Sequence, residues 1–283
     1  MIFTSARQMK DRLKNEARRL GIPPMTVMNH YMMERLLARL AASSYQDRII
    51  IKGGFLIASM IGVNLRTTQD LDATIKGLPV DERLVRDMMD EVMGIDLGDR
   101  IVFQLIAISS IREDAAYENF RVSLEAQFQT IHEQLSIDIT TGDAVIPREI
   151  DYAYKLMFED MPITVRAYNL QTILAEKIES ILIRNVANTR ARDYYDVYVL
   201  MKMRASEFDR DGLRDALRIK TRERGTEYVL TEHARLLRQI FVNQDLHSLW
   251  TAYQKQYPYA AGIQFDEIVA VIRNLVDQLF PSD

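Results

Sequence analysis

Lys52-Gly53-Gly54-Phe55-Leu56, followed after a loop by Arg66-Thr67-Thr68-Gln69-Asp70-Leu71-Asp72-Ala73-Thr74-Ile75, is the stretch on which the reading of the fold turns. The β-branched run Arg48–Lys52 predicts a short strand, broken by the glycine pair and followed by a short helix through Phe55–Ile61. Leu71–Ile75 predicts a second strand. Side chains alternate along a strand, so Asp70, Asp72 and Thr74 share one face and Leu71, Ala73 and Ile75 the other. Aspartate is depleted in strands, and two on one face repel unless a cation sits between them. Mg²⁺ takes a few carboxylate oxygens together with substrate phosphates, and this pair suits a magnesium–nucleotide site. Gly53-Gly54 lets the backbone turn tightly into the helix, whose first N–H groups can bind phosphate.

A third carboxylate is placed the same way. In Gln134-Leu135-Ser136-Ile137-Asp138-Ile139-Thr140 the polar face carries Ser136, Asp138 and Thr140. An adjacent strand would bring Asp138 beside Asp70 and Asp72, and three carboxylates suffice for two metal ions. The competing reading is a solvated sheet face.

Around this nucleus the chain divides by texture. Helices are expected from Ser5 to Leu20 and from Thr26 to Ala42, and again at Asp81–Met93. Strands are expected at 101–111, 120–128, 132–140 and 152–158, with turns at Glu113–Asn119 and Gly142-Asp143. After Pro162 the pattern is helical to the end, near 169–186, 191–205, 209–222, 232–243 and 262–280. An α+β half is thus followed by an all-helical half, with the boundary placed at residues 165/166.

Two of the later helices carry charge where apolar residues are due. In Leu170–Arg184, Leu170, Ile173, Leu174, Ile178 and Ile181 form a stripe, with Glu176 and Glu179 on the opposite, solvent side. Lys177 falls within the stripe and Arg184 in the same row. A Lys there snorkels to the edge, pairs with a carboxylate, or faces a cleft that holds an anion. In Arg192-Asp193-Tyr194-Tyr195-Asp196, Asp193 lies on the apolar side and Asp196 flanks it. Two such helices would face a common polar cleft; an N-cap role for Asp193 or a Lys177–Asp193 salt bridge explains the same pattern.

Composition excludes several chemistries. The 283 residues carry 36 Lys+Arg against 40 Asp+Glu, a net −4, and 48% hydrophobic residues, which is ordinary globular composition. With no cysteine, thiol catalysis, disulfides, Cys-ligated zinc and iron–sulfur clusters are absent. The four His have no metal-binding spacing. Neither a secretory signal nor an 18-residue apolar window is present, and a cytoplasmic protein making no membrane contact is expected. Residues 7–19 hold six basic and two acidic side chains, and 202–224 hold eight and five. Such excess can touch phosphate or simply form a solvated helix face.

Taken in order, Lys52-Gly53-Gly54, Arg66-x-Thr68-x-Asp70-Leu71-Asp72, Ala175-Glu176-Lys177-Ile178-Glu179 and Arg192-Asp193-Tyr194-Tyr195-Asp196 resemble the AbiEii/AbiGii toxin family of the nucleotidyltransferase superfamily. The resemblance covers roughly residues 48–200. It implies an α+β fold: a minimal nucleotidyltransferase mixed sheet with flanking helices (1–165), then a helical C-terminal domain (166–283) closing the active-site cleft. It implies the toxin of a type IV toxin–antitoxin pair, restrained by a separately encoded antitoxin. It further implies an enzyme that uses an NTP with Mg²⁺ or Mn²⁺ to modify RNA, notably tRNA acceptor ends, and so blocks translation. Carried over by position, Asp70, Asp72 and Asp138 are metal ligands, and Lys177 holds the triphosphate. Asp193 is the acidic residue of the last motif. Lys52, Gly53, Gly54, Arg66, Thr68, Arg184 and Asp196 line the nucleotide. Two departures stand out: the superfamily's Ser is Gly54 here, and the spacer to Asp70 is somewhat long. A protein or small-molecule acceptor, and a module that only binds nucleotide or a partner, are the alternatives.

Overall fold

The computed structural model describes residues 3–111 and 119–281, so residues 113–118 of the expected turn lie outside it. The chain forms two compact units, residues 1–143 with 149–167 and residues 144–148 with 168–283.

Helices α1 (Ala6–Leu20) and α2 (Pro24–Ala42) open the first unit. Strand β1 (Ile49–Lys52), helix α3 (Gly53–Ile61), β2 (Asp70–Ile75) and α4 (Glu82–Gly94) follow. Strands β3 (Val102–Ile111), β4 (Asn119–Phe128), β5 (Ile131–Thr141), β6 (Ile150–Tyr154) and β7 (Ile163–Ala167) complete it. Among the described residues the strands make one mixed sheet, in the order β3-β4-β5-β2-β1-β7-β6. Strand alternation divides its faces: Leu71, Ala73, Val122, Leu124, Leu135, Ile137 and Ile139 are buried on the side covered by α2, α3 and α4. The opposite face carries the charged residues.

One expectation fails here. Residues 163–167 are not helical; they form β7, parallel to β1 and antiparallel to β6. Five residues with Val165 and Ala167 inward are too short for periodicity to distinguish strand from helix. The strand expected at 152–158 ends at Tyr154.

A buried ionic cluster anchors α2. Asp99 accepts from Arg35 Nε (2.9 Å), Arg39 Nη1 (2.9 Å), Arg39 Nη2 (2.7 Å) and the Ile101 N–H (3.1 Å). All three side chains are buried, and Glu159 closes the cluster on Arg35 at 2.5 Å.

Two further titratable residues of α2, Glu34 and His30, are buried. Burial pushes the Glu34 carboxyl up to about 8, although Oε2 accepts the Met157 N–H at 2.7 Å. Its Oε1 has no hydrogen-bond partner. Burial holds His30, bonded to Tyr154 Oη at 3.1 Å, down at about 4. Between pH 4.5 and about 8 the folded state keeps a Glu34 proton that the unfolded chain has released. Stability therefore falls as pH rises, by at most about 1.4 kcal/mol per unit. His30 acts in the opposite sense between about 4 and 6.5. The two slopes offset each other up to pH 6.5, and the Glu34 loss stands alone above it. Glu34→Gln is expected to flatten the fall in urea midpoint between pH 6.5 and 8; parallel wild-type and variant curves would refute this.

The second unit holds α5 (Leu170–Arg184), α6 (Ala191–Arg204), α7 (Arg210–Arg224), the single turn α8 (Tyr228–Thr231), α9 (His233–Val242), α10 (Gln244–Gln256) and α11 (Phe265–Leu279). Helix α10 was not expected from the sequence; its buried Leu246, Trp250 and Tyr253 give a narrow stripe among polar residues. Asn169 caps α5 through the Thr172 N–H (2.8 Å) and donates to the carbonyls of Ile146 and Arg148, which ties residues 144–148 to this unit. No helix among the described residues is long and apolar enough to cross a membrane.

Candidate functional site

The acidic face of the first unit is built by strand register. Lys52 on β1 lies opposite Asp72 on β2, Asp72 opposite Asp138 on β5, and Asp138 opposite Arg121 on β4. One row of side chains thus crosses four strands with charges +, −, −, +. Asp70 lies two residues along β2, opposite Ser136.

The glycine pair exists because side chains fill the space above it. Gly53 has φ +68°, and a Cβ there would stand 1.9 Å from Asp72 Oδ2. A Cβ on Gly54 would meet Arg66 Nη2 at 2.8 Å and Thr68 Oγ1 at 3.0 Å. A side chain on Gly54 would shift the end of Arg66 and crowd Thr68. Gly53→Ala combines a left-handed backbone with a clash on Asp72, so a loss of about 1–2 kcal/mol in stability is expected from the backbone alone. Loss of the carboxylate's position should accompany it. A denaturation curve and a metal titration on the variant check both; unchanged values in each would refute the reading.

Several expected site residues hold other partners. Lys52 Nζ bonds Asp143 Oδ2 at 2.6 Å, which also accepts from Thr140 Oγ1 at 2.8 Å. Arg66 is 1% exposed and donates to the Thr67 carbonyl, while Thr68 Oγ1 reaches the Asp70 carbonyl at 3.4 Å. Both are buried against the turn at Gly54. The third carboxylate of that face is engaged by a cation: Arg121 Nε and Nη2 each sit 2.7 Å from an oxygen of Asp138. Among the described residues no three His, Asp or Glu side chains are grouped to hold a metal ion. The bidentate bond to Asp138, then the charges of Asp138, Asp70 and Asp72, raise the Arg121 pKa above its ordinary value. Arg121 was missed in the sequence although it shares the polar face of β4 with Ser123 and Glu125. Only the β4–β5 register places it beside Asp138.

In the second unit Lys177 Nζ lies 2.5 Å from Asp193 Oδ1 and 3.1 Å from Asp196 Oδ2. Ser180 Oγ donates to Asp193 Oδ2 (3.1 Å) and accepts from Arg184 Nε (3.3 Å). Of the explanations open in the sequence, the salt bridge is present and the N-cap is not. Helix α6 begins at Ala191 and Asp193 sits inside its first turn, where a carboxylate is favoured. Asp196 is fully buried and holds Lys177 from the α6 side. Arg184 is exposed at the end of α5.

Glu179 corrects a second expectation. It is 1% exposed, bonded to Arg224 Nη1 (2.6 Å) and Thr226 Oγ1 (3.1 Å). Helix α7 packs along the side of α5 that amphipathicity assigns to solvent, and the nearly buried Lys220 reaches Glu176 at 3.3 Å.

Among curated proteins none matches the chain. Two solved structures from Helicobacter pylori share its fold. JHP933 has a TM-score of 0.52 at 15% identity, over 90% of this chain and 91% of that one. A second protein, provisionally assigned as a nucleotidyltransferase, has a TM-score of 0.50 at 16% identity, over 91% and 97%. Residues 35–271 match the family described as nucleotidyl transferase AbiEii toxin of type IV toxin–antitoxin systems. That span contains the glycine pair with Asp72 above it, the Asp70/Asp72 strand, and the α5–α6 ion pair. The chain belongs to the AbiEii family of toxin-type nucleotidyltransferases.

Proposed function

We propose that this toxin-type nucleotidyltransferase transfers a nucleotide from an NTP, with Mg²⁺, to a hydroxyl of an RNA acceptor, foremost the tRNA 3′ end, and so blocks translation. The observation that carries the reading is the placement of Asp70 and Asp72 on one strand face, with Asp72 occupying the space a side chain on Gly53 would fill. That cradle and its carboxylate donors fit a hard divalent cation, and Asp70 and Asp72 are the residues that would hold it. When bound, the ion neutralises triphosphate oxygens and offsets charge developing at the α-phosphorus.

The chain's own residues do the remaining work. The N-terminus of α3, opened by Gly53-Gly54, offers backbone N–H groups to phosphate. Within the second unit Lys177 is fixed by Asp193 and Asp196 and is the cation we assign to nucleotide phosphate. Asp138 and Asp193 are each bonded to a cation, Arg121 and Lys177 respectively. Orientation of the attacking hydroxyl and charge neutralisation carry the rate in phosphoryl-type transfer. Membership of a toxin–antitoxin family supports a cognate antitoxin as partner.

The test is to incubate the purified protein with Mg²⁺, each α-labelled NTP in turn, and total bacterial RNA. Label in a tRNA-sized band is expected with one preferred NTP and not without Mg²⁺. Label confined to protein or to a small molecule would overturn the RNA reading, and no label with any acceptor would overturn transfer itself.

A further inference from the structure

Like charges directly opposite one another on neighbouring strands destabilise a sheet. Asp72 and Asp138 stand in that relation, and their row ends in a cation on either side. Lys52, at one end, is engaged by Asp143, which lies just beyond β5. Arg121, at the other, places two guanidinium nitrogens 2.7 Å from the two oxygens of Asp138. This fork-to-fork bond is the strongest form an ion pair takes, and it fixes the carboxylate plane as well as cancelling its charge. Arg121 is nonetheless 46% exposed in its side chain, so the pair sits at the open edge of the acidic face rather than in the core.

A carboxylate held on both oxygens by a guanidinium is a poor ligand for a second cation, because the metal must repel or displace the first. We infer that Arg121 is a resident counter-cation that withholds Asp138 from divalent metal, leaving metal capture to Asp70 and Asp72. Arg121 thereby acts as a positioning residue that sets how much divalent ion the acidic face requires. The inference rests on the reading that Asp70 and Asp72 hold the ion.

The experiment is a Mn²⁺ titration of the full chain without nucleotide, followed by the paramagnetic resonance of unbound Mn²⁺. Four proteins are compared: wild type, Arg121→Gln, Arg121→Gln/Asp138→Asn and Asp72→Asn. Removing the guanidinium while keeping Asp138 is expected to tighten Mn²⁺ binding roughly tenfold. The double variant should return to wild-type affinity or below, because the gain comes from the released carboxylate and not from lost repulsion. Arg121 lies on an exposed polar face, and thermal melts of all four proteins check that the sheet is intact. Affinity in Arg121→Gln equal to or weaker than wild type overturns the inference, as does a gain that persists in the double variant. Undiminished Mn²⁺ binding in Asp72→Asn would instead remove the metal reading, and the role of Arg121 with it.

Discussion

Asp72→Asn is expected to reduce nucleotidyl transfer on the order of 10³-fold, about 4 kcal/mol of transition-state stabilisation, while the protein melts as the wild type does. The amide keeps the size and leaves the space above Gly53 filled, so the turn into α3 has no reason to move. What it loses is a full negative charge and an anionic oxygen donor. Asp70→Asn, one residue pair along the same face, should fall in the same direction. Initial rates with saturating NTP and RNA, set beside a melting curve, decide the matter. Transfer within a few-fold of wild type would remove the β2 carboxylates from the chemistry, and an unfolded variant would show their role to be structural.

Asp99→Ala is expected to cost roughly 3–5 kcal/mol, because it strands the buried Arg39 guanidinium without a counter-charge and leaves Arg35 only Glu159 at the rim. Against a total stability of about 5–15 kcal/mol that is enough to leave the first unit partly unfolded at physiological temperature. Glu159→Ala, at the 34%-exposed rim of the same cluster, should cost less than about 1 kcal/mol. Burial on its own would raise the Asp99 carboxyl, but the bonds from Arg39, Ile101 and Arg35 hold it below its ordinary value of 3.8. Its stabilisation is therefore complete above that value and is lost as pH falls through the lower folded one. Urea midpoints at neutral pH for the two variants give the comparison; equal effects from Asp99 and Glu159 would contradict the assignment.

The acidic strand was legible because a strand's period of two is written in the order of residues, and Asp70-Leu71-Asp72 states which face is polar without any knowledge of neighbours. Lys177 and Asp193 were legible as anomalies, charges within apolar stripes, although the pattern left pairing and a cleft open. Arg121 shows where such reading stops. Its own strand marks it as an ordinary outward-facing cation, and its meaning comes from a register between β4 and β5 that alternation does not encode. Glu179 fails for a related reason: amphipathicity gives a helix one inner side, whereas α5 is packed by both α6 and α7. Strand β7 was hidden by its length, since five residues span barely more than one helical turn.

The position of β7 has a consequence for the growing chain. It is the last strand to leave the ribosome, yet it sits inside the sheet, between β1 and β6. Until residue 167 is available, one side of Ile49-Ile50-Ile51 has no ladder to complete. That edge is uncharged and β-branched, the kind that recruits a second nascent chain. A translation product cut short before Ile163 should therefore be lost to aggregation. Nonsense mutations that silence the toxin from codons between β1 and β7 would then report insolubility, whatever they do to the chemistry.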